Sequence, residues 1–480
     1  MRGDMEYDAV LIHPPAIYDF REKARFPGPV AYTVGGSTGQ FITPPIGMLS
    51  IADYLDRNGY RVVVDNLGER MVTGPGFDVE KYIGALSAKV YAIGLHWSVH
   101  SQGAVEIARM CKQLHPDAIV LLGGLTATIF HEEILQKFEF IDAVIRGEAE
   151  KPFLSLMRAL GEQTALVAVP NLTFRDDGGE IRSVPLMEPS ADLDEFEFTR
   201  LDLLEPKRAI FTPGMLPNWG VPVCRGCSHN CVACGGSAYS YRTYLGRERL
   251  ALRSPEKIAQ DLRKLSQQGI KLVFLFQDPR IGGRQYWRKL LTTLQREHLE
   301  LAQLTMELFG PADEEYVREL SKVGVPIVLT ISPESGVDSV RRSHGRNYTN
   351  EELFRTVEIC KKYDIPLGSF SMAALANDTS DTIKQTWEWW EQLCSMNSNG
   401  KTQVDYAFGP MLLLDPGSLA FDLPKSHGYR LIFENLEDYI EGMSHSSWHQ
   451  WISYETRFLD RESITKLTID SIEHSINLRE

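Results

Sequence analysis

The feature that most constrains this chain is the run Cys224-Arg225-Gly226-Cys227-Ser228-His229-Asn230-Cys231-Val232-Ala233-Cys234, followed directly by Gly235-Gly236. Cys227, Cys231 and Cys234 stand at C-x3-C-x2-C spacing, short enough for one tight loop to bring three sulfurs to a single metal centre. A structural zinc site closes with four ligands, and a simple electron-transfer cluster also takes four thiolates. Three thiols leave one iron of a four-iron cluster without a protein ligand and free to bind substrate. The alternative is a zinc knuckle completed by Cys224 or His229.

Composition narrows the setting. The length of 480 residues suggests roughly two to four domains. A net charge of -14 with no long basic run argues against a grip on nucleic-acid phosphates. No apolar stretch is long enough to span a bilayer, and the charged start, Met1 to Tyr7, lacks a signal-peptide core. The expectation is a cytoplasmic protein with neither nucleic acid nor membrane as partner. Its seven cysteines, the trio plus Cys111, Cys224, Cys360 and Cys394, are odd in number and no disulfide framework, which suits a reducing compartment.

The first third alternates short apolar runs with helical patterns. Asp8 to His13, Tyr60 to Asp65, Val90 to Leu95, Ala118 to Gly124 and Ala143 to Glu148 read as strands. Helical segments between them include one opened by Pro44-Pro45-Ile46-Gly47 and one from about Gln102 to Leu114. This period predicts a doubly wound α/β domain with ligands at the carboxyl ends of its strands. Those ends carry His13-Pro14-Pro15, His96-Trp97-Ser98, Gly123-Gly124-Leu125-Thr126 and Gly147-Glu148-Ala149-Glu150. Glycines there let a large ligand approach the backbone, and the Thr126 hydroxyl can hydrogen-bond it.

Leu172 to Val184 reads as a hairpin around Asp176-Asp177-Gly178-Gly179, and Pro185 to Arg208 as an acidic, proline-dotted linker whose Asp192, Asp194 and Glu195 form a solvated face. Beyond it, Val221 to Cys224, Lys271 to Phe276, Leu304 to Leu308, Pro326 to Ile331, Pro366 to Met372 and Val404 to Phe408 alternate with helices, and Ser254-Pro255 and Thr349 to Glu352 are helix starts. Six strands in this order predict a partial (β/α)6 barrel with its chemistry at the strands' C-terminal mouth. Residues 419–480, rich in aromatics and helix formers, predict a small helical cap.

The cysteine spacing, the Arg225-Gly226 before it and the Gly235-Gly236 after it resemble the signature of the radical S-adenosylmethionine (SAM) superfamily, with Ala233 where an aromatic residue is usual. The first third is similar to the cobalamin-binding domain that precedes many radical SAM barrels, with Leu125 replacing a common histidine and no Asp-x-His-x-x-Gly motif to supply a lower axial ligand. The resemblance implies a Rossmann-like cobalamin-binding domain over residues 1–160, a linker with a hairpin over 161–215, a radical SAM barrel over 216–418 and a helical C-terminal domain over 419–480. It implies a 4Fe-4S cluster on Cys227, Cys231 and Cys234. SAM would be contacted by Gly235, Gly236, Asp278, Ser332, Glu334, Arg346 and Met372, and cobalamin by His96, Trp97, Ser98, Gly123, Gly124, Thr126 and Glu148. Arg70 is either a residue under the corrin or a solvated surface arginine.

In such enzymes one SAM methylates reduced cobalamin and a second yields a 5′-deoxyadenosyl radical. The radical removes a substrate hydrogen, and methylcobalamin donates its methyl group. The activity implied is methylation of an unactivated carbon or phosphorus in a small-molecule or peptide substrate, with flavodoxin or ferredoxin as electron donor. The alternatives are radical rearrangement, cyclisation or dehydrogenation without methyl transfer, and a non-enzymatic metal-binding module.

Overall fold

The computed structural model describes residues 7–19, 45–74, 76–207, 218–396, 404–410 and 413–478. Two large sheets carry it. The first holds eight strands: β1 (Tyr7–His13), β2 (Val62–Asn66), β3 (Ala88–Gly94), β4 (Ile119–Gly123), β5 (Ala143–Ile145), β6 (Leu172–Arg175), β7 (Ile181–Ser183) and β8 (Leu204–Glu205). Their order is β7-β6-β5-β4-β3-β1-β2-β8. Strands β1 to β5 are parallel and their interiors are buried. That is why they read as unbroken apolar runs instead of alternating ones.

The connection is bound more tightly into this sheet than a free linker would be. The predicted hairpin forms as β6 and β7 and extends the sheet antiparallel from β5, while β8 pairs with β2 at the other edge. Phe196 and Phe198 are buried in a small core with Leu193 and Ala251. Nor are all the acidic residues merely solvated. Asp194 accepts the Ser254 N–H, and Glu195 lies 2.9 Å from Lys151. Pro44 and Arg208 lie outside the described residues.

The second sheet is the partial barrel. It contains β9 (Asn218–Pro222), then, after the short β10 (Cys224–Arg225) and β11 (Ala251–Leu252) that pair with each other, β12 (Leu272–Phe276), β13 (Gln303–Leu308), β14 (Ile327–Glu334), β15 (Leu367–Ala373) and β16 (Val404–Pro410). The order β16-β15-β14-β13-β12-β9 is wholly parallel and follows the chain. Capping boxes at Thr349 and Thr379 start two of the outer helices. Strand parity defines the lumen. Phe274 and Phe276, Glu307, Thr330, Ser332 and Glu334, and Phe370 and Met372 alternate with fully buried residues on their strands.

The C-terminal segment bridges both halves. Its helix Arg461–Asn477 packs on β15 and β16, while helix Leu436–Ser444 packs on helix Ser101–Leu114 of the first sheet. Glu133 of the first half accepts the Leu436 N–H, and Lys137 pairs with Glu437. Tyr429, Phe433, Tyr439, Trp448, Trp451 and Tyr454 are buried, so most of the segment's aromatics pack the cap and do not line an open pocket.

Candidate active site

The cluster loop leaves β9 through Val223 and passes along β10. Gly226 has φ +93°, and a Cβ there would meet the Arg247 side chain at 3.1 Å. Beyond it the backbone curls so that its own N–H groups face the sulfurs: His229 N–H donates to Cys227 Sγ at 3.4 Å and Gly236 N–H to Cys234 Sγ at 3.3 Å. Cys227 and Cys231 are partly buried and Cys234 is open, whereas Cys224 is buried with its thiol directed at the Gly226 carbonyl. No disulfide joins any of the seven cysteines. Among the described residues no three His, Cys, Asp or Glu side chains close on one ion.

A second loop lies on the first. Val232 N–H donates to the His344 carbonyl, and a Cβ on Gly345 (φ +87°) would be 2.8 Å from the Asn230 carbonyl oxygen. This close approach sets Arg346 beside the thiols, near enough for its charge to act on Cys227 and Cys231. Its guanidinium pairs with Glu334 at 3.1 Å. Glu334 ends β14 at φ +68°, past a register shift that turns the strand end inward. Ser332 is on the same lumen face, and Met372, 36% exposed, opens into the lumen with Phe370.

Asp278 is a correction. Both its oxygens are occupied: they accept from the Arg280 backbone N–H and guanidinium and from the Phe309 N–H, and the residue is 2% exposed. It pins a turn and has no lone pair to offer a SAM ammonium. Glu307, whose direction the sequence leaves open, points into the lumen and accepts the Gln277 N–H at 2.6 Å. Burial, then the charge of Asp278, raises its pKa, with the Gln277 hydrogen bond opposing.

The first sheet's order reverses between β1 and β3, the switch point at which open α/β sheets hold ligands. Three imidazoles meet there. The His13 and His100 ring centroids are 5.1 Å apart, and His96 is close enough to depress both of their pKa values. Burial holds His96 and His13 neutral, each pulled down to about 4. At their outer edges His96 and Trp97 stay solvent-accessible, Trp97 at 48%. His100 escaped the sequence reading, because only the turn after β3 carries it back to His13.

Several predicted cobalamin contacts also serve the fold. The Thr126 hydroxyl donates to the His96 carbonyl. Ser98 is buried at the start of a short turn. Gly124 has φ +115°, and a Cβ there would be 2.7 Å from the His96 backbone, so the crossing of two strand ends demands the glycine whether or not a ligand is near. Gly123 has no such crowding, its nearest neighbour being the Ile145 carbonyl at 3.5 Å. Glu148 is bound by Arg247 at 2.6 Å and Arg225 at 3.1 Å. Arg70 is neither solvated nor free: it is paired with Asp65 at 2.9 Å and lies over the Tyr82 ring.

The end of β4 and the cluster loop meet. A Cβ on Gly235 would be 3.1 Å from Leu125 Cδ2, just beyond Gly124, and the Gly235 N–H donates to Asp415 at 3.0 Å. Burial raises the Asp415 pKa. Asp415 also escaped the sequence reading, since nothing local links it to a loop so far away in the chain.

Comparison with known proteins agrees with this geometry. The model of the radical SAM superfamily matches residues 221–389, and that of the B12 binding domain matches residues 32–157. The chain is 23% identical over 376 residues to an uncharacterised methyltransferase of Pyrococcus horikoshii, covering 78% of this chain and 76% of that protein. It is 22% identical over 372 residues to the anaerobic magnesium-protoporphyrin IX monomethyl ester cyclase of Rubrivivax gelatinosus, covering 74% of this chain but only 63% of the cyclase. The fold is shared with the radical SAM methyltransferase TsrM from Kitasatospora setae, solved with cobalamin and a 4Fe-4S cluster, at a TM-score of 0.67 and 14% identity, covering 99% of this chain and 89% of that one.

The barrel with its three-thiol loop defines a radical SAM enzyme. The B12-binding domain in front of it places the chain among the cobalamin-dependent members of that superfamily. The cofactors are thus a 4Fe-4S cluster, SAM and cobalamin. The donor set suits them: three thiols with N–H groups turned toward two of the sulfurs, and at the switch point an accessible aromatic beside a neutral imidazole.

Proposed function

We propose that this enzyme methylates an unactivated carbon of a small-molecule or peptide substrate, with phosphorus the less usual target. One observation carries the reading: the end of the cluster loop touches the residue that follows Gly123-Gly124, through Gly235 and Leu125. A substrate held at that junction can reach both cofactors, and such proximity turns separate encounters into one oriented event. When bound, the cluster supplies the electron that cleaves SAM, and the cobalamin carries the methyl group.

The chain's own residues divide the remaining work. Cys227, Cys231 and Cys234 hold the cluster. Arg346 receives the SAM carboxylate through its planar fork, oriented by Glu334. Glu307 takes the ammonium-binding role that Asp278 cannot fill, Ser332 reaches the ribose, and Gly236 lets SAM approach the loop. Met372 packs the adenine, and Phe274, Phe276 and Phe370 keep water out of the lumen. His96 and Trp97 contact the corrin, with Gly123 beside it. A flavodoxin or ferredoxin supplies electrons in the cytoplasm. Cysteines that form no disulfide support that setting, and no described helix is long and apolar enough to cross a membrane.

Anaerobic purification tests the reading. Iron, sulfide and cobalt should be present together, and turnover should yield both S-adenosylhomocysteine and 5′-deoxyadenosine. Deoxyadenosine alone would favour cyclisation or rearrangement, a reading supported by the likeness to the cyclase.

A further inference from the structure

The Gly147-Glu148-Ala149-Glu150 stretch lies outside the chemistry assigned above, yet it is the most densely paired polar cluster between the two halves. Arg225, two residues before the first cluster cysteine, sends Nη1 to Glu148 and Glu150 at 3.1 Å each and Nη2 to Glu150 Oε1. Arg247, beyond the last cysteine, clamps Glu148 through Nε at 2.6 Å and Nη2 at 2.9 Å, and also donates to the Ser190 carbonyl at 2.8 Å. Ser50, on the helix after β1, donates to Glu150 at 2.5 Å. Phe196 and Phe198 of the connection lie against the Arg225 guanidinium, with ring centroids 5.0 and 5.6 Å away. One carboxylate of the B12-binding half, Glu148, thus holds the chain on both sides of the cysteines, before them through Arg225 and past the helix that follows them through Arg247.

Burying such a network is a poor way to gain stability. Desolvation offsets most of the attraction, and apolar side chains of similar volume hold two surfaces together as well or better. What planar forks on carboxylates supply is orientation. We infer that Glu148 and Glu150 are positioning residues: through Arg225 and Arg247 they fix the cluster loop on the B12-binding domain and set the separation between cluster and corrin.

The inference rests on the cobalamin reading, so its first test needs no cofactor. In the full-length apoprotein, Glu150→Gln should speed hydrogen–deuterium exchange of residues 224–236 by about tenfold while β12 to β15 stay as in the wild type. Unchanged exchange in the loop overturns the proposal. The second test uses the reconstituted holoenzyme and Arg225→Lys, which keeps the charge and loses the fork. Iron and cobalt contents should match the wild type. The magnetic coupling between reduced cluster and cob(II)alamin, read by electron paramagnetic resonance, should weaken by about twofold or more, with S-adenosylhomocysteine falling further than deoxyadenosine. Coupling unchanged, or lost only in proportion to cofactor content, means that the network merely supports the fold and overturns the proposal. If Glu150→Gln does not fold, Ser50→Ala removes a single hydrogen bond from the same carboxylate and is read in the same way. A wild-type protein that takes up iron but no cobalt refutes the cobalamin reading and leaves the exchange result to judge the positioning role alone.

Discussion

Arg346 and Glu334 face each other at 3.1 Å across the barrel rim, each nearly enclosed, with the arginine's charge reaching two of the cluster thiols. Both positions depend on local irregularity: Glu334 ends β14 at positive φ past a register shift, and Arg346 follows the loop that presses on Asn230. Arg346→Lys should leave cluster iron intact and weaken SAM binding by roughly tenfold or more, because a point charge cannot replace a bidentate fork. The SAM-induced change in the reduced cluster's paramagnetic spectrum, titrated against SAM, measures it.

Glu307 and Asp278 should behave differently although both are carboxylates of the barrel mouth. Asp278→Asn strands donors from Arg280 and Phe309 and should cost about 2–4 kcal/mol of stability. Glu307→Gln keeps an acceptor for Gln277 N–H and should fold normally but bind SAM more weakly. Denaturant unfolding and SAM titration of the two variants separate these outcomes.

Replacing Cys227, Cys231 or Cys234 by Ala should abolish cluster iron and the visible iron–sulfur absorption, with cobalamin still retained by the first domain. Cys224→Ala should keep the cluster, since that thiol is buried and directed at the Gly226 carbonyl. Iron and cobalt analysis of the four proteins decides it.

The two adjacent glycines after β4 should not be equivalent. Gly124→Ala meets both a positive φ and the His96 backbone at 2.7 Å, and should destabilise by about 2 kcal/mol or more. Gly123→Ala has ordinary contacts and should fold, losing only cobalamin affinity. Thermal melts with and without added cobalamin distinguish them.

His13 links stability to acid. Burial and the neighbouring His96 depress its pKa to about 4 from an ordinary 6.5. Between those values the unfolded chain binds more protons than the folded one, so stability present at neutral pH drains away as pH falls. His13→Gln should flatten that loss by roughly 1–3 kcal/mol between pH 6.5 and 4. Urea unfolding across this range provides the measurement.

The contrast between what was and was not legible in the sequence follows the range of the interactions. The cysteine loop and the alternation of strands and helices are written locally, in spacing and period, and both sheets formed as those patterns predict. Asp278 reads in sequence as a SAM contact because its partners, Arg280 and the Phe309 N–H, claim it only once the chain has turned back on itself. Glu148 reads as a cobalamin contact because Arg225 and Arg247 reach it from far along the chain. A carboxylate after a strand looks the same in sequence whether it awaits a ligand or already holds an arginine.

The contact between Leu125 and Gly235 also bears on how the enzyme fails. Through that contact the sulfur-bearing loop leans directly on the B12-binding half, so damage to one is felt by the other. Iron lost in air should loosen the strand ends around Gly124 as well as the loop itself.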